Sequence, residues 1–187
     1  MVITYYGEGS FRLQSGDFSI LVDPSNNRLK GDLVIRTLAP VDALSTGAEE
    51  ITFSGEYEVR GIEVLGWQVL NESSDKFVKT VYLVKWEDIH IALLGHISDT
   101  LSAEILENLG DPDVLILPIG GGHFLSSQMA VRLIKQIEPA VVLPSFFKDA
   151  KDFLKEIGQK TDAQEKFVFK KKDLDGDKSR VVVLKES

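Results

Sequence analysis

The chain has 187 residues, 43% of them hydrophobic and 27% charged, with a net charge of −8 and no cysteine. That length and composition suit one soluble globular domain spanning 1–187. The excess of acid argues against nucleic-acid or anionic-membrane binding, which needs a basic surface, and the missing cysteines exclude disulfides and thiolate ligands. No run of about 18 apolar residues is present to span a membrane. The opening MVITYYGEGS lacks the basic-then-apolar pattern of a secretory leader, so a cytoplasmic protein is expected.

Taken in chain order, the sequence first reads as β. Short apolar or alternating runs at 2–6, 10–14 and 18–22 are separated by the turn signals GEG and SGD. Leu33, Val34 and Ile35 form a buried strand that leads through Thr37 into a short loop ending at Asp42. Strands at 51–53, 57–59, 62–70, 79–85 and 89–94 continue the meander, and Trp86-Glu87-Asp88 joins the last two. After Gly95 the rhythm changes. Leu101, Ile105, Leu106 and Leu109 fall at helical spacing, Asp99, Thr100 and Ser102 offer N-caps, and Gly110 closes the helix. A fully apolar strand at 114–118 follows. Ser126 or Ser127 caps a second helix carrying Met129, Val131, Leu133, Ile134 and Ile137, which Pro139 stops. A strand at 140–143 and a helix at 148–157 closed by Gly158 come next. Strands at 166–169 and 180–184 join through Asp175-Gly176 in a hairpin. Its end is solvated by Lys170, Lys171 and Lys172 answered by Asp173, Asp175 and Asp177. The Asp173-x-Asp175-x-Asp177 spacing is no EF-hand, because that loop needs Gly and Glu where this chain has Lys178 and Leu184. A β-rich half followed by βαβαβ units predicts sheet packed on sheet with helices outside.

Several segments carry a family resemblance. They are ITYYGEGSFRL, ILVDP, DLVIRTLAPVDALS, GEYEVRGIEVLG, IALLGHISDTLSAEILENLGDPDVLILPIGGG and IEPAVVLPSFFK, and together they span roughly residues 2–148. They resemble the metallo-β-lactamase superfamily, in particular its small ascorbate-phosphate-lactonase-like branch of metal-dependent hydrolases. The resemblance implies an α/β fold, a four-layer αββα sandwich of two mixed sheets with few helices in the N-terminal half. It also locates the family's ligand positions, where this chain departs from the pattern. Glu8 stands where a His often follows the Gly. Leu38, Pro40 and Ala43 replace the three histidines of His-x-His-x-Asp-His, and only Asp42 remains. Leu93 and His96 replace the His and the metal-bridging Asp of the next motif, and Phe146 replaces the last His. Asp23 keeps the acidic place behind the ligands. Leucine, proline, alanine and phenylalanine offer zinc no lone pair, so no metal or other cofactor is expected.

Three function readings follow. The first is a catalytically inactive, metal-free domain with a binding or structural role toward an unknown small ligand or protein partner, with a homodimer possible. The second is a hydrolase of a phosphorylated or lactone substrate that uses a site rebuilt around His96, His123 and Asp42, since imidazole and carboxylate suit zinc or iron. The third is an anion site on Gly120, Gly121 and Gly122, beside a helix N-terminus, against a plain strand-to-helix turn. The candidate pocket is Glu8, Asp42, His96, Gly120, Gly121 and His123. Glu8 or His96 could act as a base. Asp42 is expected to cap local backbone amides, and His90 reads as a half-buried strand histidine.

Overall fold

The computed structural model describes residues 1–26, 28–43, 49–174 and 179–187. The strands are β1 (Val2–Tyr5), β2 (Phe11–Ser15), β3 (Phe18–Val22), β4 (Leu33–Ile35), β5 (Leu38–Pro40), β6 (Glu50–Ile51), β7 (Gly55–Val59), β8 (Ile62–Gln68), β9 (Phe77–Trp86), β10 (Ile89–Leu93), β11 (Val114–Pro118), β12 (Val141–Ser145), β13 (Phe167–Val168) and β14 (Arg180–Val181). The helices are α1 (Ala103–Leu109), α2 (Ser127–Ile137) and α3 (Lys151–Ile157). One sheet has six strands in the order β13-β1-β2-β3-β4-β6. The other has eight, β14-β12-β11-β10-β9-β8-β7 with β5 pairing on β9. Both are mixed. β3, β4 and β6 run parallel, as do β10, β11, β12 and β14, and the hairpin strands are antiparallel.

Period-two alternation fixes how the six-stranded sheet faces. Ile3, Tyr5, Phe11 and Leu13 are buried, while Val2, Thr4, Arg12 and Gln14 between them are half-buried or exposed. This sheet therefore lays one side against the other sheet and turns the other toward water. The strands β11 and β12 are buried at every residue, because they are covered on both faces. Ile3, Phe11, Leu13, Ile91, Ile116 and Leu143 belong to the core between the sheets. Ala92, Leu115, Leu117 and Val142 point the other way, onto Ile105, Leu109, Val131, Ile134, Ile137 and Phe153 of the three helices. Each of the Leu, Ile, Val and Phe side chains among them contributes about 1.5–3 kcal/mol through burial. The two mixed sheets of the expected αββα class are present. All three helices cover the eight-stranded sheet, so the polar outer face of the six-stranded sheet has no α-helix on it among the described residues.

The helix boundaries follow their caps. Ser102 accepts from the Ile105 amide, Ser126 accepts from the Met129 amide, and Gly158 ends α3 in the left-handed region. Glu87 and Asp88, both at positive φ, make the tight turn between β9 and β10. Two readings of the sequence need correction. Residues 38–40 form a strand, not a loop. The hairpin expected from Asp175-Gly176 does not form: that dipeptide lies outside the described residues, but β13 pairs with β1 in one sheet and β14 with β12 in the other. A 3-10 turn at Lys171–Asp173 leads the chain away, and Leu174 drops into the core. Among the described residues no helix is long and apolar enough to cross a membrane.

Candidate functional site

Parallel strands bring their C-terminal ends, and the loops that follow, to one end of the sandwich, where α/β layers form pockets. β3 ends just before Asp23, β4 before Thr37, β10 before His96, β11 before Gly120 and β12 before Phe146.

Three of these residues are joined by hydrogen bonds. The largely buried Asp23 carboxylate accepts the Thr37 backbone N–H at 2.8 Å and the Thr37 hydroxyl at 2.5 Å. The same hydroxyl oxygen lies 2.9 Å from His96 Nδ1, and Asp23 Oδ2 is 3.7 Å from that nitrogen. A hydroxyl has one proton to give. With Thr37 giving it to the Asp23 carboxylate, Thr37 can only accept from His96, which sets the ring proton on Nδ1 and leaves the lone pair on Nε2. Burial pushes the His96 pKa down; Asp23 opposes this and Lys79 adds to it. Burial pushes the Asp23 carboxyl up, against the pull of His96, the two Thr37 bonds and Arg36. Gly95 lets Thr37 approach so closely, since a Cβ there would lie 2.0 Å from the Thr37 hydroxyl oxygen.

Aromatic rings stand over this chain of bonds. The His96 ring centroid is 4.8 Å from that of Phe146 and 6.2 Å from that of Phe124, and the two phenyl rings stack at 4.1 Å. The loop carrying His96 is tied down by Glu72, whose side chain is 6% exposed. It accepts from Lys79 Nζ at 2.8 Å, from the Ser98 amide and hydroxyl at 2.7 Å each, and from the Asp99 amide at 2.9 Å. Backbone strain gathers here too. Glu8, Asp23 and Phe146 have φ of 46°, 43° and 53°, a region that non-glycine residues occupy only when their surroundings hold them there.

Of the predicted pocket residues, His96 lies in this constellation. Glu8 sits in the exposed β1–β2 turn, beside a surface hollow of about 610 Å³ shared with Tyr6, Ser25, Asn26, Arg28 and Glu186. Asp42 is exposed, and its carboxylate makes no hydrogen bond among the described residues. The amide-capping role expected of it belongs instead to Asp23. His123 is exposed in the turn after β11. The Gly121 amide donates to the Leu125 carbonyl at 3.0 Å, so the glycine loop is a turn closed on itself. Gly120 backs directly onto the Phe146 carbonyl. His90 is an exposed strand residue whose backbone N–H donates to Asp113. Sequence reasoning missed the parts played by Thr37, Phe124 and the Glu72–Lys79 pair.

Among the described residues the donor set does not suit the metal that the resemblance implies. A catalytic zinc needs about three protein ligands. Among the described residues no three His, Cys, Asp or Glu side chains gather as such a group, so Asp42, His96 and His123 do not form one.

Residues 2–145 match the β-lactamase superfamily domain family. The UPF0173 metal-dependent hydrolase of Methanopyrus kandleri is 23% identical over 84% of this chain and 91% of its own length. The UPF0173 protein of Pyrococcus abyssi is 26% identical over 79% and 83%. Among solved structures, a metallo-β-lactamase-superfamily protein from Thermotoga maritima superposes with a TM-score of 0.81 at 21% identity, covering 98% of this chain and 97% of that one. Igni18, a metallo hydrolase from Ignicoccus hospitalis, gives 0.70 at 23% identity, covering 90% and 99%. By a match that runs from its first strand to the end of β12, this chain belongs to the β-lactamase superfamily domain family.

Proposed function

We propose that this chain is a catalytically silent, metal-free member of its family that binds a partner molecule at the strand-end site. One observation carries the reading. Asp23 is engaged by Thr37 and His96 Nδ1 by the Thr37 hydroxyl, which leaves His96 Nε2 as a single acceptor there, and no group of three metal-ligating side chains exists among the described residues. Metal in this family's hydrolases generates hydroxide and polarises the scissile bond. Leu38, Pro40, Leu93 and Phe146 supply none of the ligands for that chemistry. A hydrolase rebuilt on His96, His123 and Asp42 is disfavoured by the same geometry. The acidic, cysteine-free composition supports a cytoplasmic location.

Elemental analysis of protein purified without chelator tests the proposal, together with a phosphodiesterase and lactonase screen on the same sample. The expected result is no stoichiometric zinc, manganese or iron and no turnover above the blank. One equivalent of metal, with activity lost on its removal, would overturn the proposal and extend to this chain the hydrolase name of its Methanopyrus relative.

A further inference from the structure

We propose that the His96 end of the sandwich recognises a small neutral molecule carrying an O–H or N–H donor on a flat apolar frame, such as a phenol or an indole. This rests on the metal-free reading above and names the ligand class for that site.

The ring of His96 is held from inside, with Nδ1 on the Thr37 hydroxyl. Nε2 lies on the far side of the ring and has no partner among the described residues, and the side chain is 20% exposed, so solvent reaches it. An acceptor of fixed tautomer and fixed direction is thus presented at the surface. Phe146 and Phe124, both half-buried and stacked on each other, stand together on one side of it and give the approach to the ring an aromatic surface.

The surrounding charges select against ions. Lys79 is taken by Glu72 and Arg36 by Glu50, so neither ammonium nor guanidinium is available to an anion. The Gly121 amide, which might have received one, is used by Leu125. The Asp23 carboxylate is largely buried and engaged by Thr37, which leaves little of it for a cation. What remains is one acceptor beside a stacked aromatic pair. That arrangement discriminates by a single donated hydrogen bond, because a ligand without the donor leaves a desolvated acceptor unpaired.

The test is a titration of the metal-free full chain with phenol, followed by NMR at the His96 ring protons, with anisole and benzoate as comparison ligands. The His96→Asn variant assigns those signals. Phenol is expected to give a saturable shift, with anisole and benzoate at least about tenfold weaker, the factor that one lost hydrogen bond implies. His96→Asn should abolish the preference for phenol over anisole. Should that variant fail to fold, Phe124→Ala removes part of the aromatic surface beside His96 and is expected to weaken phenol. Equal response to phenol and anisole, no saturable shift, or ring ¹⁵N shifts that put the proton on Nε2 would each overturn the inference. Metal content of the same sample separates the two readings. Stoichiometric metal sinks the metal-free proposal, whereas a metal-free sample indifferent to phenol sinks only this one.

Discussion

Thr37 gives both its backbone N–H and its hydroxyl to the carboxylate of Asp23. This pair joins the end of β3 to the end of β4. Its outer oxygen then serves as the seat for His96, which comes from the other sheet. A short polar bridge therefore crosses between two apolar sheets at the end where their loops meet.

Removing Asp23 should be expensive. Asp23→Ala leaves the Thr37 amide and hydroxyl without their acceptor in a buried place, which costs about 1–3 kcal/mol for each unsatisfied group. A fall of at least 2 kcal/mol (about 4–8 °C in Tm for a chain of this size) is expected in urea and thermal unfolding. Asp42→Ala, by contrast, should change stability by no more than about 0.5 kcal/mol, because that side chain is exposed and makes no hydrogen bond among the described residues.

Gly9 and Phe146 should be coupled. A Cβ on Gly9 would fall 2.1 Å from the Phe146 ring, and Gly9 also has a φ of 78°. Gly9→Ala alone is expected to cost more than about 2 kcal/mol through clash and backbone strain together. In Phe146→Ala the clash is gone and only the strain remains. The double-mutant cycle should therefore show a favourable interaction of about 1–2 kcal/mol; additive single effects would rule out the contact.

The lowered pKa of His96 has a definite sign in stability. The unfolded chain takes up a proton on His96 near pH 6.5, whereas in the folded chain burial lowers the pKa and the proton is taken up only at lower pH. The residue's contribution is then complete above about pH 7.5 and declines as pH falls through about 6.5, by at most about 1.4 kcal/mol per pH unit. Asp23 acts in the opposite sense: its raised pKa makes its burial less costly as it becomes protonated. Urea unfolding at pH 8 and pH 6 should show a steeper loss in the wild type than in His96→Asn.

Glu72 should control local order around the His96 loop. Its carboxylate holds the Ser98 and Asp99 amides and pairs with Lys79. Glu72→Ala is expected to cost about 1–3 kcal/mol and to speed hydrogen exchange at the Ser98 and Asp99 amides while leaving β11 and β12 protected.

Much of this fold is written in local patterns. The alternation in β1 and β2, the unbroken apolar runs of β11 and β12, and the caps Ser102, Ser126, Gly110 and Gly158 each state a local geometry that tertiary packing then keeps. β5 was hidden because Leu-Ala-Pro ends in a residue with no N–H to pair, and its strand character comes only from β9 beside it. The final hairpin was misread because a turn signal speaks for neighbours in sequence, whereas β13 and β14 find their partners in different sheets.

The site divides along the same line. His96 and Asp23 stood out as chemistry at strand ends, and there they are. Asp42 and His123 stood out equally, but the direction of a side chain leaving a loop is set by backbone angles that spacing does not encode, and both face water. Thr37 and Phe124 carry no signature of their own. They acquire roles only when His96 arrives from the other sheet.

The route of the last residues has a mechanical consequence. Beyond α3 the chain closes the outer edge of one sheet with β13, crosses to close the other with β14, and returns to lay Glu186 beside Tyr5. One thread thus hems two fabrics. A protease cut in that crossing would loosen both margins at once, uncovering the unpaired edges of β1 and β12 as templates for sticky strand-to-strand association.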